Sequence, residues 1–191
     1  MNLGIKDDAF VRGKVPMTKE EIRILTLVKA QIAPDAVIYD VGAGTGSLSI
    51  EAARLAPAGH VYAIEKNSEG IGLITENAKN FSVENITVVE GTAPDALAGL
   101  PEVDVALIGG SGRKLADILD IIGQRLRPHG RIVANAITMQ TVAACLDYFH
   151  KHTEYYTYEA IQVQISRLER VGSYDMAKAL NPIYIITAQR K

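Results

Sequence analysis

Asp40-Val41-Gly42-Ala43-Gly44-Thr45-Gly46 follows the apolar run Val37-Ile38-Tyr39 and precedes a small-residue stretch that starts near Leu48. Glycines let a backbone come within contact distance of a ligand, and a helix N-terminus offers unpaired amides to it. A dinucleotide fingerprint would place its third glycine at position 47, which is Ser47, whereas here the glycines fall closer together, at Gly42, Gly44 and Gly46. A plain tight turn would use the same glycines, but the strand-loop-helix context favours a nucleotide-like ligand. Glu65 ends the next apolar run, Val61-Tyr62-Ala63-Ile64, 19 residues after Gly46. In doubly wound folds an acid at an offset of about 20 residues meets a ribose. A carboxylate can accept from both ribose hydroxyls. Alone, Glu65 could be a solvated strand-end acid; with the glycine loop it reads as a ribose ligand.

The elements that must position these residues alternate. Thr18-Lys19-Glu20-Glu21 resembles a capping box, in which the hydroxyl and the carboxylate satisfy free amides. Ile22, Leu25, Val28 and Ile32 recur at helical spacing, which predicts a helix over 18–31, closed by Pro34. Strands are predicted over 37–41, 60–64, 86–90, 103–108 and 131–135, and helices over 48–56, 69–80, 114–126 and 138–151. Short, nearly continuous apolar runs suit parallel strands covered on both faces. The expected fold is an α/β, Rossmann-like seven-stranded sheet, mostly parallel with the last strand antiparallel, and helices on both faces. The tail breaks the pattern: 155–167 and 183–188 read as strands joined by a loop over 169–182, so 153–191 should form one antiparallel pair at a sheet edge. A single domain over 1–191 is expected, with 1–33 as an N-terminal segment and capping helix.

Composition excludes several classes. With 191 residues, 20 Lys+Arg against 22 Asp+Glu and a net charge of −2, the chain has no basic field for non-specific nucleic-acid binding, though a local basic patch survives that argument. Its one cysteine, Cys145, cannot form an internal disulfide or a thiolate zinc site, and its apolar neighbours suggest a buried, inert thiol. No apolar stretch approaches the roughly 20 residues of a membrane span, and residues 1–14 lack the apolar core of a signal peptide. A cytoplasmic protein without membrane or nucleic-acid partners is expected. No carboxylate dyad, Ser-His-Asp set or metal cluster stands out, so no catalytic residue and no protein-bound metal is predicted. His150-Lys151-His152 suits a helix C-terminus, which favours cations.

The glycine loop and Glu65 resemble those of the AdoMet-dependent class I methyltransferases. That resemblance implies S-adenosyl-L-methionine as methyl donor, with Gly42, Ala43, Gly44, Thr45, Gly46 and Glu65 binding it. Glu90-Gly91-Thr92-Ala93 would then lie beside the adenine, Ala93 in contact, and the fourth-strand end, through Gly110 and Ser111, would face the methyl acceptor. A narrower resemblance covers nearly the whole chain. Asp7-Asp8-x-Phe10, Val15-Pro16-Met17-Thr18-Lys19-Glu20-Glu21-Ile22-Arg23, the run Glu90 to Leu97, Gly109-Gly110-Ser111-Gly112 and Asn181-Pro182 are similar to the corrin-pathway decarboxylating methyltransferases. That family comprises cobalt-precorrin-6B C15-methyltransferases and the C-terminal half of precorrin-6Y C5,15-methyltransferases. Thr92 and Glu65 stand where many members carry Asp, and each can still hydrogen-bond.

The narrower resemblance implies methylation of C15 of a precorrin and decarboxylation of its C12 acetate, in cobalamin biosynthesis. It implies that Thr18 touches AdoMet, and that the chain forms a homotetramer, alone or beside a separate C5-methyltransferase. A substrate rich in carboxylates calls for basic side chains. Candidates are Arg12, Lys14, Arg113, Lys114, Arg167 and Arg170, each of which could equally be a solvated surface charge; Arg113 leads because it follows the Gly-Gly-Ser-Gly turn. Tyr148, Tyr155, Tyr156 and Tyr158 could serve an interface or pack within the monomer. The competing readings are a methyltransferase of RNA or of another small molecule, and a non-catalytic nucleotide-binding module.

Overall fold

The computed structural model describes residues 3–191. Its sheet has seven strands: β1 (Val37–Val41), β2 (His60–Glu65), β3 (Ile86–Glu90), β4 (Val103–Ile108), β5 (Leu126–Ala136), β6 (Tyr156–Val163) and β9 (Ile183–Arg190). The spatial order is β3-β2-β1-β4-β5-β9-β6. Neighbours from β3 through β5 pair parallel, and β9 runs antiparallel to both β5 and β6. This is the expected Rossmann-like sheet, with the late pair closing one edge.

Both faces are covered because the strand side chains alternate between two cores. Ile38, Val105 and Leu107 point to the face packed by α1 (Glu20–Ala30) and α2 (Ser47–Leu55), with α3 (Ser68–Asn80) beside α2. Tyr39, Val41, Ala106 and Ile108 point to the other face, where α4 (Leu115–Arg125) and α5 (Met139–Lys151) bring Ile118, Leu119, Ile122 and Phe149. Burial on both sides explains why the strand sequences are almost wholly apolar. Cys145 is fully buried among these residues, and burial pushes its thiol up to about 12, far from a reactive thiolate.

Two expectations need correction. Thr18 does not cap α1: the helix starts at Glu20 with Lys19 at the cap position, and no cap side chain bonds to it. The Glu20 amide instead donates to Asp7 Oδ1 at 3.0 Å, a cap supplied from outside the helix. The segment 153–191 also contains two antiparallel pairs, not one. Between β6 and β9 lies a separate ribbon, β7 (Ser166–Val171) with β8 (Tyr174–Ala179), turning on the two residues Gly172-Ser173. A two-residue Gly-Ser connection is itself a hairpin signal. It was obscured because β7 and β8 carry charges interspersed with apolar residues and every one of their residues is exposed.

The described helices include none long and apolar enough to cross a membrane.

Candidate functional site

The strand order reverses between β1 and β4, and in open α/β sheets ligands bind at the carboxyl ends of the strands flanking such a reversal. A cleft of about 500 Å³ opens there. Its floor is built by consecutive strand ends: Val41 to Gly44 after β1, Ile64 to Asn67 after β2, Gly91 to Ala93 after β3, Gly109 to Gly112 after β4, and Asn135 and Ile137 at the end of β5.

The glycine loop fits this place because its backbone is crowded. A Cβ on Gly42 would sit 2.8 Å from the Gly110 nitrogen, so the β1 and β4 turns touch through bare backbone. A Cβ on Gly44 would sit 2.7 Å from the Pro16 carbonyl oxygen, and both glycines have positive φ, +76° and +58°. Any other residue would push these three segments apart.

The N-terminal segment forms the wall above the loop and is held by polar anchors, of which Asn77 and Arg23 are buried and Glu69 is exposed. Asn77 on α3 accepts the Val11 amide at 2.7 Å and donates to the carbonyls of Val11 and Thr45, both at 3.0 Å. Glu69 accepts the Lys14 amide at 2.7 Å. Arg23 is wholly buried, donating to Glu51 at 2.6 Å, to Asp7 at 3.2 Å, to the Thr18 carbonyl at 2.7 Å, and to the Ile5 carbonyl. These bonds present Val15 to Lys19 to the cleft.

Glu65 is almost completely buried and is engaged with main chain. Its Oε2 accepts the Gly44 amide at 2.8 Å, and its Oε1 accepts the amides of Lys66 and Asn67, each at 2.9 Å. A carboxylate oxygen has two acceptor positions. Oε1 is therefore full, and Oε2 keeps one place for a ligand hydroxyl. Asp40, beneath the loop, accepts from the Ser49 hydroxyl at 2.5 Å, while its Oδ1 is buried without a partner. Burial raises its carboxyl to about 6, with the nearby Glu65 charge adding to the rise and the Ser49 bond opposing it.

Of the residues singled out in the sequence, Thr18, Gly42, Ala43, Gly44, Glu65, Ala93, Gly110 and Ser111 all line the cleft. Thr45 and Gly46 lie one layer below: Thr45 is buried, and Gly46 packs against Ile74 of α3. Arg12, Lys14, Arg113 and Lys114 are exposed and outside the lining. Arg167 is drawn away from it to Glu21, with a two-pronged pair at 3.0 and 2.8 Å. The cations that do line the cleft are Lys19 and Lys66. Sequence reasoning also passed over Ile22, Asn135, Ile137 and Ile183, which form the wall nearest β5 and β9. Their apolar periods mark strand or helix, and nothing local marks which of them meets a cavity.

Tyr148 and Tyr156 pack around Phe149, with Tyr158 stacked on the same ring, so this part of the tyrosine cluster lies within the monomer. Tyr155 is exposed. His152 caps α5, stacks on Tyr148 and meets its carbonyl at 2.7 Å.

Comparison with known proteins agrees with this architecture. A family profile described as a precorrin methyltransferase domain matches residues 8–190. The chain is 39% identical over 188 residues to a protein of Pyrobaculum calidifontis named "Probable cobalt-precorrin-6B C(15)-methyltransferase (decarboxylating)", covering 97% of this chain and 95% of the relative. It is 37% identical to the cobalt-precorrin-6B C(15)-methyltransferase (decarboxylating) of Salmonella typhimurium, with 98% and 96% covered. The crystal structure of a precorrin-6Y C5,15-methyltransferase from Geobacter metallireducens superposes with a TM-score of 0.92 at 40% identity, covering 98% of both chains.

Proposed function

The chain belongs to the precorrin methyltransferase family, and from that premise we propose that it methylates C15 of a precorrin of the cobalt-precorrin-6B type, with AdoMet as donor, and releases the C12 acetate as CO2. The observation that carries this reading is the cleft at the strand reversal, where a glycine loop, a buried acid and a Gly-Gly-Ser-Gly turn face one another. The reaction belongs to cobalamin biosynthesis, and the cytoplasm is the expected place for it.

The residues present fit AdoMet. Gly42, Ala43 and Gly44 leave a cradle that side chains would fill, and Oε2 of Glu65 retains an acceptor position for a ribose hydroxyl. Ala93, Thr92 and Asn67 line the side expected to hold the adenine, and Thr18 closes the cleft from above. When bound, AdoMet supplies an electrophilic methyl group on a sulfonium.

The protein's part is mainly positioning, which alone can lower a barrier by about 7–11 kcal/mol when two reactants are held in line. The turn from Gly109 to Ser111 has no side chain larger than a hydroxymethyl, so a flat ring can approach the glycine loop closely. Ile22, Ile118 and Ile183 give the cleft apolar lining. A carboxylate held there loses hydration, and its electron pair passes into the conjugated ring as CO2 departs. Lys19 and Lys66 supply positive charge for the remaining acidic side chains.

A homo-oligomer, with a tetramer as the specific expectation, is supported by the β7–β8 ribbon. Leu168, Val171, Tyr174 and Met176 are all more than half exposed on it. A two-stranded ribbon standing alone is marginal in water, and a second copy of the chain would cover these residues. Light scattering on the purified protein tests this, and a monomer would refute it.

Mass spectrometry of the tetrapyrrole after incubation with protein and AdoMet tests the reaction. Gain of one methyl with loss of one CO2 is expected. Methyl gain alone would separate the two activities, and no change with AdoMet bound would favour a non-catalytic module.

A further inference from the structure

One side chain beneath the N-terminal segment holds both that segment and the glycine loop. Asn77, wholly buried on α3, accepts the Val11 amide through Oδ1 at 2.7 Å and donates through Nδ2 to the carbonyls of Val11 and Thr45, both at 3.0 Å. A backbone N–H can only donate and a carbonyl can only accept, so these three partners fix the orientation of the amide. Thr45 belongs to the glycine loop, and the residue before it, Gly44, gives its N–H to Oε2 of Glu65 at 2.8 Å. The loop is thus held from two sides at consecutive residues. Gly44 also lies against the segment, since a Cβ there would sit 2.7 Å from the Pro16 carbonyl oxygen.

The two things that Asn77 holds differ in their freedom. Thr45 is buried, whereas Val11 is half-buried and Arg12 to Lys14 are exposed, so the segment from Val11 to Lys19 is a strap that can lift into water. Without Asn77, the N–H and C=O of Val11 would find partners only in water, which favours the lifted strap. Lifting takes Val15 to Lys19 away from the cleft they line. We propose that Asn77 is a positioning residue for the methyl donor. By clasping Val11 and the Thr45 carbonyl together, it links closure of the strap to seating of the donor on the glycine loop. The donor binds the closed state, so its apparent affinity falls in proportion to the closed fraction. By reciprocity, bound donor holds the strap shut. This rests on AdoMet as the donor proposed above and adds to it a residue outside the cleft lining.

The test uses the full chain and AdoMet. Val11 lies outside the cleft lining, so hydrogen exchange at its amide reports lifting of the strap without direct cover by the ligand. In the wild-type protein, saturating AdoMet should slow that exchange. Asn77→Leu should raise the AdoMet dissociation constant about tenfold by calorimetry, within the usual range of a coupling between sites. Ile122→Ala, which empties part of the core on the opposite face of the sheet, is the control for general destabilisation. It should bind AdoMet within about twofold of wild type, as expected for a distant, independent site. Val11 exchange that ignores saturating AdoMet overturns the inference, and this measurement needs no variant to fold. Wild-type affinity in Asn77→Leu, or an equal loss in Ile122→Ala, overturns it too, and in each case the proposed function stands. A wild-type protein that does not bind AdoMet overturns both.

Discussion

Oε2 of Glu65 accepts the backbone N–H of Gly44 at 2.8 Å, so one buried carboxylate ties the end of β2 to the glycine loop after β1. The acid proposed for the ribose thus also shapes the loop beside it.

Glu65→Ala should therefore weaken AdoMet binding by about tenfold or more, since a bond to a charged group is worth roughly 1.5–3 kcal/mol. Glu65→Gln keeps one acceptor oxygen but sets an NH2 group against the backbone N–H on the other side and loses the charge, so AdoMet binding should weaken in this variant too. Calorimetric titration with AdoMet measures both, and affinities within about twofold of wild type, well under the ~1 kcal/mol of an ordinary lost bond, would remove Glu65 from the ribose site.

Asp40 gives the protein a defined pH dependence. Its carboxyl is raised from 3.8 to about 6 by burial, so the folded state holds this proton more tightly than the unfolded chain does. Stability from this group is present below its unfolded value and is lost as pH rises through about 6. Asp40→Asn keeps an acceptor for Ser49 and cannot ionise. The variant's stability relative to wild type should increase between pH 4 and pH 7 by on the order of 2–3 kcal/mol, at 1.36 kcal/mol per unit. Denaturant melts across that range provide the measurement, and a flat difference would mean Asp40 titrates normally.

Removing Arg23 should be costly. Its guanidinium and the Glu51 carboxylate are both buried at 2.6 Å, and Arg23 also fastens Thr18 and Ile5. Arg23→Met leaves Glu51 without its cation, and breaking such a pair typically costs about 3–5 kcal/mol. Urea denaturation should show that loss. A double variant that also carries Glu51→Leu should regain part of it, because no lone charge remains buried.

Basic residues inside and outside the cleft should differ. Lys19 lines the cavity, whereas Arg113 stands on the exposed turn after it with φ +69°. Lys19→Ala should raise the acceptor KM by several-fold, on the scale of about 1 kcal/mol for a partly exposed charge, and Arg113→Ala by less. Steady-state kinetics at low and high salt separate them. An Arg113→Ala effect equal to that of Lys19→Ala would place Arg113 at the substrate after all, and unchanged kinetics would leave it a surface charge.

What could be read in the sequence was what local rules encode. Apolar periods of two kinds placed the alternating strands and helices, and Gly42, Gly44 and Gly46 after a strand marked the turn that a close-lying ligand needs. Glu65 was legible because its distance along the chain from that turn is set by one helix and one strand. Cys145 was legible from its apolar neighbours. The tertiary structure decided the rest, through contacts between residues far apart in the chain. Asp7, not Thr18, caps α1 because the N-terminal segment folds back along the helix start. Arg167, one of six basic candidates, is committed to Glu21, while Lys19 and Lys66 reach the cavity. Asn135 reads in the sequence as an ordinary strand residue, and only the packing of α1 against β5 brings the Thr26 hydroxyl within 3.1 Å of its side-chain amide at the cleft wall. Sequence period fixes which face of an element is apolar; where a polar side chain points within that face is fixed by the neighbour it meets.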